Sequence, residues 1–527
     1  MAEKTAAEIR DETRLAQLGY KQELRRDWKL IHNFGVSFSI IVKMTRLHVR
    51  IARLMKMASY GLNTGGPGVM TTGWIVVSFM TFFVGLSMAE IVSAIPTSGG
   101  PYFWAAMLAP QKYAPFLCWL TGWFNFVGQF AVTTGISFGC AGLIATAATI
   151  KTSWVPTAGQ EIGIYAAILI SHGLINTFGV HILRYLNISS VILHSLGVAS
   201  LAIAVVAKAP THQSAAEVFQ HFYDGTGDPG WSVRASPAYV AICGILLSQY
   251  TITGFDASAH LSEETHRAEW SAPIGVLMSI GVSAVFGFFL LLCLLFSIQD
   301  FASTVDSTTN YGEPVFKILV DCMGEDGALV CIAIIILCVW HCGLFSITSN
   351  SRMMFAFSRD GALPKFFDYV DPKFQSPVRT VWLAAFLAFC LALPSLGSSV
   401  AFSAATSIAT IGLYISYALP ILIALVWPSN FNKGPFNLGN FSRIVGGIAC
   451  SWVLFITIVF CLPEENPVSS QTLNYTPVAV GIVLVATLGT WFLWAHRWFT
   501  GPRRQTALET VEDFENKTSI AENTKGA

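Results

Sequence analysis

The residues best equipped for chemistry sit where an apolar chain should not have them. Ser248-Gln249-Tyr250-Thr251-Ile252-Thr253-Gly254-Phe255-Asp256-Ala257-Ser258-Ala259-His260 sets hydroxyls, a glycine and an acid into an otherwise apolar run. An Asp at mid-membrane depth costs a few kcal/mol unless it faces water or a partner. Two readings follow: a discontinuous helix around a site, lined by Tyr250, Thr251, Thr253, Gly254, Phe255 and Asp256, or an ordinary helix end with Asp256 already near the interface. Asn125, Gln129 and Thr133, at i, i+4 and i+8, share one helical face, and either bond a neighbouring helix or touch a substrate. His194 lies about two turns into a helix, after a connection read over His181–Asn187; it either bonds a neighbour or, like Asp256, is a candidate to carry a proton. Cys338 and Cys342 flank His341, but without a zinc spacing, and no metal is expected. No nucleophile–base pair, metal set or cofactor motif stands out, so the chain does not read as an enzyme.

The elements that must position these residues follow from composition. The chain has 527 residues, 53% of them apolar and only 12% charged, about half the charge of an average soluble domain. Its 31 Lys+Arg balance 31 Asp+Glu, which leaves no basic excess for nucleic acid. About twenty apolar residues span a bilayer as a helix. That length picks out eleven segments, roughly 69–93, 115–149, 161–183, 189–207, 237–260, 273–298, 327–351, 380–395, 400–427, 443–462 and 475–496. A twelfth, near 31–58, is atypical. The expected class is an all-α polytopic membrane protein of about twelve helices, with the lipid bilayer as its first partner.

If 31–58 crosses too, alternate loops divide the cations unequally. One side carries 22 Lys/Arg, including seven in the N-terminal tail and five between Arg352 and Arg379; the other carries Lys151, Lys208, Arg234 and Lys317. The positive-inside bias then puts both termini in the cytosol. No cleavable signal peptide precedes the first apolar run; residues 1–30 read as a cytosolic tail, 31–497 as the membrane domain, and 498–527 as a charged, aperiodic and disordered tail. Most of the eleven cysteines lie in apolar runs and read as core filling. Asn474-Tyr475-Thr476 forms a glycosylation sequon in an outer loop, with Pro477 after it disfavouring use.

Several runs carry a family resemblance. Gly61-Leu62-Asn63-Thr64-Gly65-Gly66-Pro67, then Gly85-Leu86-Ser87-Met88-Ala89-Glu90-Ile91 leading to Ile95-Pro96-Thr97-Ser98-Gly99-Gly100-Pro101-Tyr102, resemble the fungal amino-acid/choline branch of the amino acid–polyamine–organocation permeases. Thr253 to Thr265, Ser349-Asn350-Ser351-Arg352 and Ser358-Arg359-Asp360-Gly361-Ala362-Leu363-Pro364 agree. The likeness runs from about 18 to 500. It implies a LeuT-type 5+5 fold, with inverted repeats about 31–207 and 237–427 and extra helices over 443–496. Helices 1 and 6 would break around a mid-membrane site, whose half-helix N-termini suit a substrate carboxylate. By position, Tyr250 looks like the aromatic that closes over substrate, Gly254 like the hinge and Asp256 like the acid past the break. Pro96, Gly99 and Gly100 look like shapers of the loop after span two.

One stretch departs from the family. Where similar permeases keep an apolar, Gly-containing break, this chain has Val42 to Ser59, with Lys43, Arg46, Arg50 and Arg53 on one helical face and Lys56 beyond. Each cation would cost about 2.5 to 3.5 kcal/mol at mid-depth, which suits a helix lying on the membrane. Without a crossing, however, the basic N-terminal tail would sit opposite the other basic loops. Three explanations compete: a retained intron or misjudged exon boundary, preferred because the match resumes abruptly on both sides; a variant without transport; and a transporter with an altered site.

Two functions follow as expectations. The first is a secondary active symporter of an amino acid, γ-aminobutyrate or choline-like amine, driven by protons through alternating access in the plasma or vacuolar membrane. The alternative is a non-transporting nutrient sensor or inactive permease variant. A channel is disfavoured because no filter-like repeat or charged pore ring occurs.

Overall fold

The structure, a computed structural model, describes residues 6–24, 26–41, 56–152, 154, 156–306, 311 and 313–502. Lys43, Arg46, Arg50 and Arg53, and the tail from Arg503 on, lie outside them.

The described elements are helical. In chain order they are α1 (Ala6–Gln17), α2 (Leu30–Ile41), α3 (Lys56–Asn63), α4 (Gly66–Ala94), α5 (Pro101–Leu108), α6 (Ala114–Lys151), α7 (Ala158–Phe178), α8 (Val180–Ile192), α9 (Val198–Lys208), α10 (Ala215–Gln220), α11 (Trp231–Arg234), α12 (Pro237–Gly244), α13 (Leu246–Thr251), α14 (Ala257–His260), α15 (Ala268–Phe296), α16 (Phe301–Val305), α17 (Pro314–Arg359), α18 (Val378–Ala392), α19 (Ser399–Val426), α20 (Ser442–Val459) and α21 (Thr476–Leu493). In a bilayer every backbone polar group must find a partner within the protein, and helices meet that demand segment by segment. Ten of the described helical stretches are long and apolar enough to cross. The run α12–α13–α14 is a further apolar stretch that is interrupted, and α2 and α3 flank residues outside the described ones. The molecule is an all-α polytopic membrane protein of LeuT type.

Its two ends are distinguished by what gathers there. At the end carrying most of the cations, α1 and the segment after it lie against the end of α4 and the start of α15: Arg14 donates to Ala94 O at 2.7 Å and Arg10 pairs with Glu269 at 2.9 Å. At the opposite end, the α10–α11 loop covers the α3–α4 turn, where Gly65 N donates to Tyr223 O at 2.9 Å and Gly225 N to Asn63 O at 2.7 Å. Trp28 pairs with Thr265 at the first end and Thr64 with Asp224 at the second. Long α6 runs along α17 and α19, and α15 along α4 and α2. Helix α21 buries only Thr476 and Thr487 and turns its apolar side chains outward, as a lipid-facing helix does.

Two expectations need correction. The α7–α8 connection is Gly179 alone, whose N–H closes on Ile175 O; His181–Asn187 is helical, and the helix widens to a π turn at Leu193–Gly197 around His194. The span expected at 327–351 belongs to a helix running from Pro314 to Arg359, interrupted at Gly324 (φ 69°, ψ 175°), because polar turns continue past the apolar run at both ends. Asn474 is committed structurally: its Nδ2 donates to Phe460 O and Leu462 O, both at 2.8 Å, and its Oδ1 accepts from Thr476 N, which leaves little freedom for a glycan on that nitrogen.

Candidate functional site at the break in the sixth span

The run 237–260 does not form one helix. Helix α13 stops at Thr251; Ile252 leaves helical geometry (φ −95°, ψ 69°), and Gly254 takes φ +96°, a conformation that costs other residues about 1 to 3 kcal/mol. The freed backbone groups find partners in neighbouring helices. Tyr414 of α19 donates to Ile252 O at 2.7 Å, and Ser37 of α2 donates to Phe255 O at 3.2 Å. Ser258 N donates to Ser37 Oγ at 2.8 Å, while Asn33 Nδ2 reaches Ser258 O at 2.9 Å. The break is therefore held against both α2 and α19.

Asp256 is the centre of the arrangement, only 1% exposed. Gln129 Nε2 donates to its Oδ2 at 2.7 Å, Asn125 Nδ2 approaches the same oxygen at 3.4 Å, and Tyr417 of α19 donates to Oδ1 at 2.7 Å. His260 Nε2 stands 3.3 Å from Oδ2, one turn further along α14. Donors from α6 and α19 thus repay the desolvation of one carboxylate, the condition for a buried charge to persist. The helical face of Asn125 and Gln129 points at the acid, and Thr133 continues it to Ser346 of α17 (Oγ···Oγ 2.8 Å). Two buried amide atoms beside the break, Asn125 Oδ1 and Gln249 Nε2, have no hydrogen-bond partner among the described residues. An acceptor and a donor left open in a dry interior are what a polar ligand or ordered water would complete.

The other predicted site residues are placed differently. Thr251 and Thr253 turn their hydroxyls back to Leu247 O (2.8 Å) and Gln249 O (2.9 Å). Phe255 packs on Tyr417 with ring centroids 5.0 Å apart. Tyr250 lies edge-on to Phe460, just beyond α20, at 4.7 Å. His194 is apart from Asp256: its Nδ1 donates to Ser190 O at 2.8 Å and its ring lies 6.0 Å from Phe38. Sequence reasoning missed Tyr414, Tyr417, Asn33 and Ser37 and gave His260 no role. The signal for the tyrosines was the cluster Tyr414, Ser416, Tyr417 inside the apolar run 400–427.

Between this site and the basic end lies a second, charged layer. Arg359 of α17 pairs with Glu263 at 2.9 Å and Arg352 with Glu264 at 2.7 Å, all four side chains buried. Ser98 N also donates to Glu263, at 3.0 Å. Burial pushes the Glu263 carboxyl up, but Arg359 and the Ser98 N–H outweigh it and hold the group below the ordinary Glu value. Asp360 accepts from Tyr20 at 2.6 Å and Tyr102 at 2.9 Å, and the Arg359 guanidinium lies 3.8 Å above the Tyr20 ring. The N-terminal segment, α5 and α17 are thereby pinned beneath α14.

The comparisons with known proteins show the family. The pattern of the amino acid permease family matches residues 34–485. The chain belongs to that family. The permease is 41% identical to the amino-acid permease BAT1 of Arabidopsis thaliana over 506 residues, which cover 93% of this chain and 96% of the relative. It is 43% identical to the BAT1 homolog of Oryza sativa subsp. japonica over 504 residues, covering 93% and 95%. An uncharacterized amino-acid permease of Schizosaccharomyces pombe is 30% identical over 514 residues, covering 96% and 92%. The permease is thus a membrane transporter of amino acids, not an enzyme, and its likeness extends to plant as well as fungal proteins.

Proposed function

We propose that the permease is a proton-coupled secondary transporter of an amino acid, γ-aminobutyrate or a choline-like amine, working by alternating access around the break at Ile252–Asp256. The observation that carries this reading is the buried Asp256, ringed by donors from α6 and α19 at the point where α13 ends. Asn125, Gln129, Thr251, Thr253, Gly254, Phe255 and Asp256 form the binding and hinge region, Tyr250 closes it from the α13 side, and Asp256 carries the proton, with His194 as a second candidate. The cation asymmetry supports a cytosolic basic end with both termini, and the membrane is the plasma or the vacuolar one. An uptake panel of labelled amino acids, γ-aminobutyrate and choline, in cells lacking their own permeases, tests it. Accumulation that a protonophore abolishes is expected; uptake that survives collapse of the proton gradient unchanged would contradict coupling. The basic run from Lys43 to Lys56 favours a second reading, a variant that binds without accumulating, and binding without uptake in the same panel would select it.

A further inference from the structure

The donor and acceptor pattern around His260 fixes a proton. A backbone carbonyl only accepts, so the 2.9 Å contact between His260 Nδ1 and Ser98 O requires a hydrogen on Nδ1. The neutral ring then leaves Nε2 as a bare acceptor, yet Nε2 lies 3.3 Å from Asp256 Oδ2, another acceptor. The contact needs one more proton, on the ring or on the acid. Asp256 already accepts from Gln129 and Tyr417 and is approached by Asn125, so both of its oxygens are taken up as acceptors and neither is placed to donate toward Nε2. The proton therefore sits on the ring.

We infer that the transported proton, placed on Asp256 in the reading above, is instead bound and released by its neighbour His260, held as an imidazolium between Asp256 and the Ser98 carbonyl while the permease is closed at its basic end. This rests on the proton-coupled reading above. Proton balance is simple: neutral His260, carrying Nδ1–H, gains H+ at Nε2 from one side and becomes the imidazolium. Opening at the basic end separates α14 from the Ser98–Gly100 turn, water replaces Ser98 O and Asp256 as partners, and H+ leaves from Nε2. Gly100 makes the turn possible, since it sits at φ +58° and a Cβ there would stand 2.8 Å from His260 Cε1. The charges on the surrounding elements are already occupied. Arg352 and Arg359 of α17 pair with Glu264 and Glu263, Glu269 of α15 pairs with Arg10, and His32 of α2 accepts from Lys29 N at 3.1 Å. Tyr417, which completes the ring around Asp256, is a phenol.

The test uses the full chain in proteoliposomes with a 14C-labelled mixture of the common L-amino acids. With one proton per substrate, an acid-outside gradient of one pH unit drives about tenfold accumulation by the unsubstituted permease. His260→Gln, whose amide donates but does not ionise, is expected to lose gradient-driven accumulation by at least tenfold, and whatever counterflow exchange it retains is expected to lose its dependence on pH. Accumulation by His260→Gln equal to that of the unsubstituted chain overturns the role of His260 alone. Failure of the unsubstituted chain to respond to the gradient, with exchange intact, overturns the coupled reading beneath it. Should the variant misfold, solid-state NMR of the unsubstituted permease in bilayers, with 15N in the rings of its eleven histidines, decides instead. One ring protonated at both nitrogens at pH 8 supports the inference, and a bare nitrogen on every ring overturns it.

Discussion

Tyr417 donates its phenolic hydrogen to Asp256 Oδ1 across 2.7 Å, joining α19 to the broken sixth span at its most polar point. The bond links two elements that must move relative to one another if the site opens to alternate sides. It also places an aromatic ring, packed on Phe255, beside the unwound backbone.

Tyr417→Phe keeps the ring and removes the donor. A buried hydrogen bond to a charge contributes about 1.5 to 3 kcal/mol, so transport velocity is expected to fall between tenfold and a hundredfold while surface abundance is retained. Initial-rate uptake normalised to immunodetected protein measures this. A rate within twofold of the unsubstituted permease would show that the bond has no part in the transport cycle.

Gly254→Ala probes the hinge. At φ +96° a Cβ costs about 1 to 3 kcal/mol. The expected outcome is a permease that still folds but transports at least tenfold more slowly, with a lowered melting temperature in detergent. Unaltered uptake would mean that the left-handed residue is not required at the break.

Arg359→Ala leaves Glu263 buried without its cation, a change that costs about 3 to 5 kcal/mol. A large loss of thermal stability is expected, recovered in part by Glu263→Gln in the same chain, because the double variant no longer strands a charge. The melting temperatures of the two single variants and the double variant check this; additive losses would contradict a direct pairing.

Acid sensitivity follows from the sign of the Glu263 shift. A carboxyl whose folded value lies below its ordinary one stabilises above the ordinary value, and that contribution disappears only as pH falls through the depressed value. The Arg359–Glu263 layer should therefore be unchanged between pH 5 and 8 and weaken only below the ordinary Glu range. Melting temperature measured from pH 8 to pH 4 tests this, and a decline between pH 7 and 5 that Glu263→Gln abolishes would reverse the assignment.

Much of the fold was legible because lipid imposes a simple rule. Ten of the apolar runs lie in helices long enough to cross, while the run 237–260 divides into three short helices and its polar stretch Ser248–His260 holds the break. The Asn125–Gln129 spacing put both amides on one helical face, although only the fold could show that this face meets Asp256. Tyr417 was less legible, since its role depends on how α19 crosses the break and not on its own neighbours in sequence. The mislocated α7–α8 turn has a similar cause: nothing in a row of apolar residues marks where a helix reverses except Gly179. His260 stood in a quoted motif, yet its chemistry appears only once Ser98 is placed against it by the α4–α5 turn.

The basic run from Lys43 to Lys56 carries its own expectation. Replacing Val42–Ser59 with the apolar, Gly-containing segment of similar permeases should raise uptake by at least tenfold, because cations there cost about 2.5 to 3.5 kcal/mol each at mid-depth. Transcript sequencing across codons 40 to 62 gives the companion result. Uninterrupted message encoding the basic run in most copies would show that the run belongs to the protein.

The most direct measurement of the central claim is gradient-driven accumulation in proteoliposomes by the unsubstituted permease and by Asp256→Asn, which keeps the shape of the side chain and removes its charge. The structure, in which Asp256 collects its donors at the break, predicts accumulation above equilibrium for the first under an acid-outside gradient and none for the second. Equal accumulation by both would contradict a proton-coupled site built on Asp256.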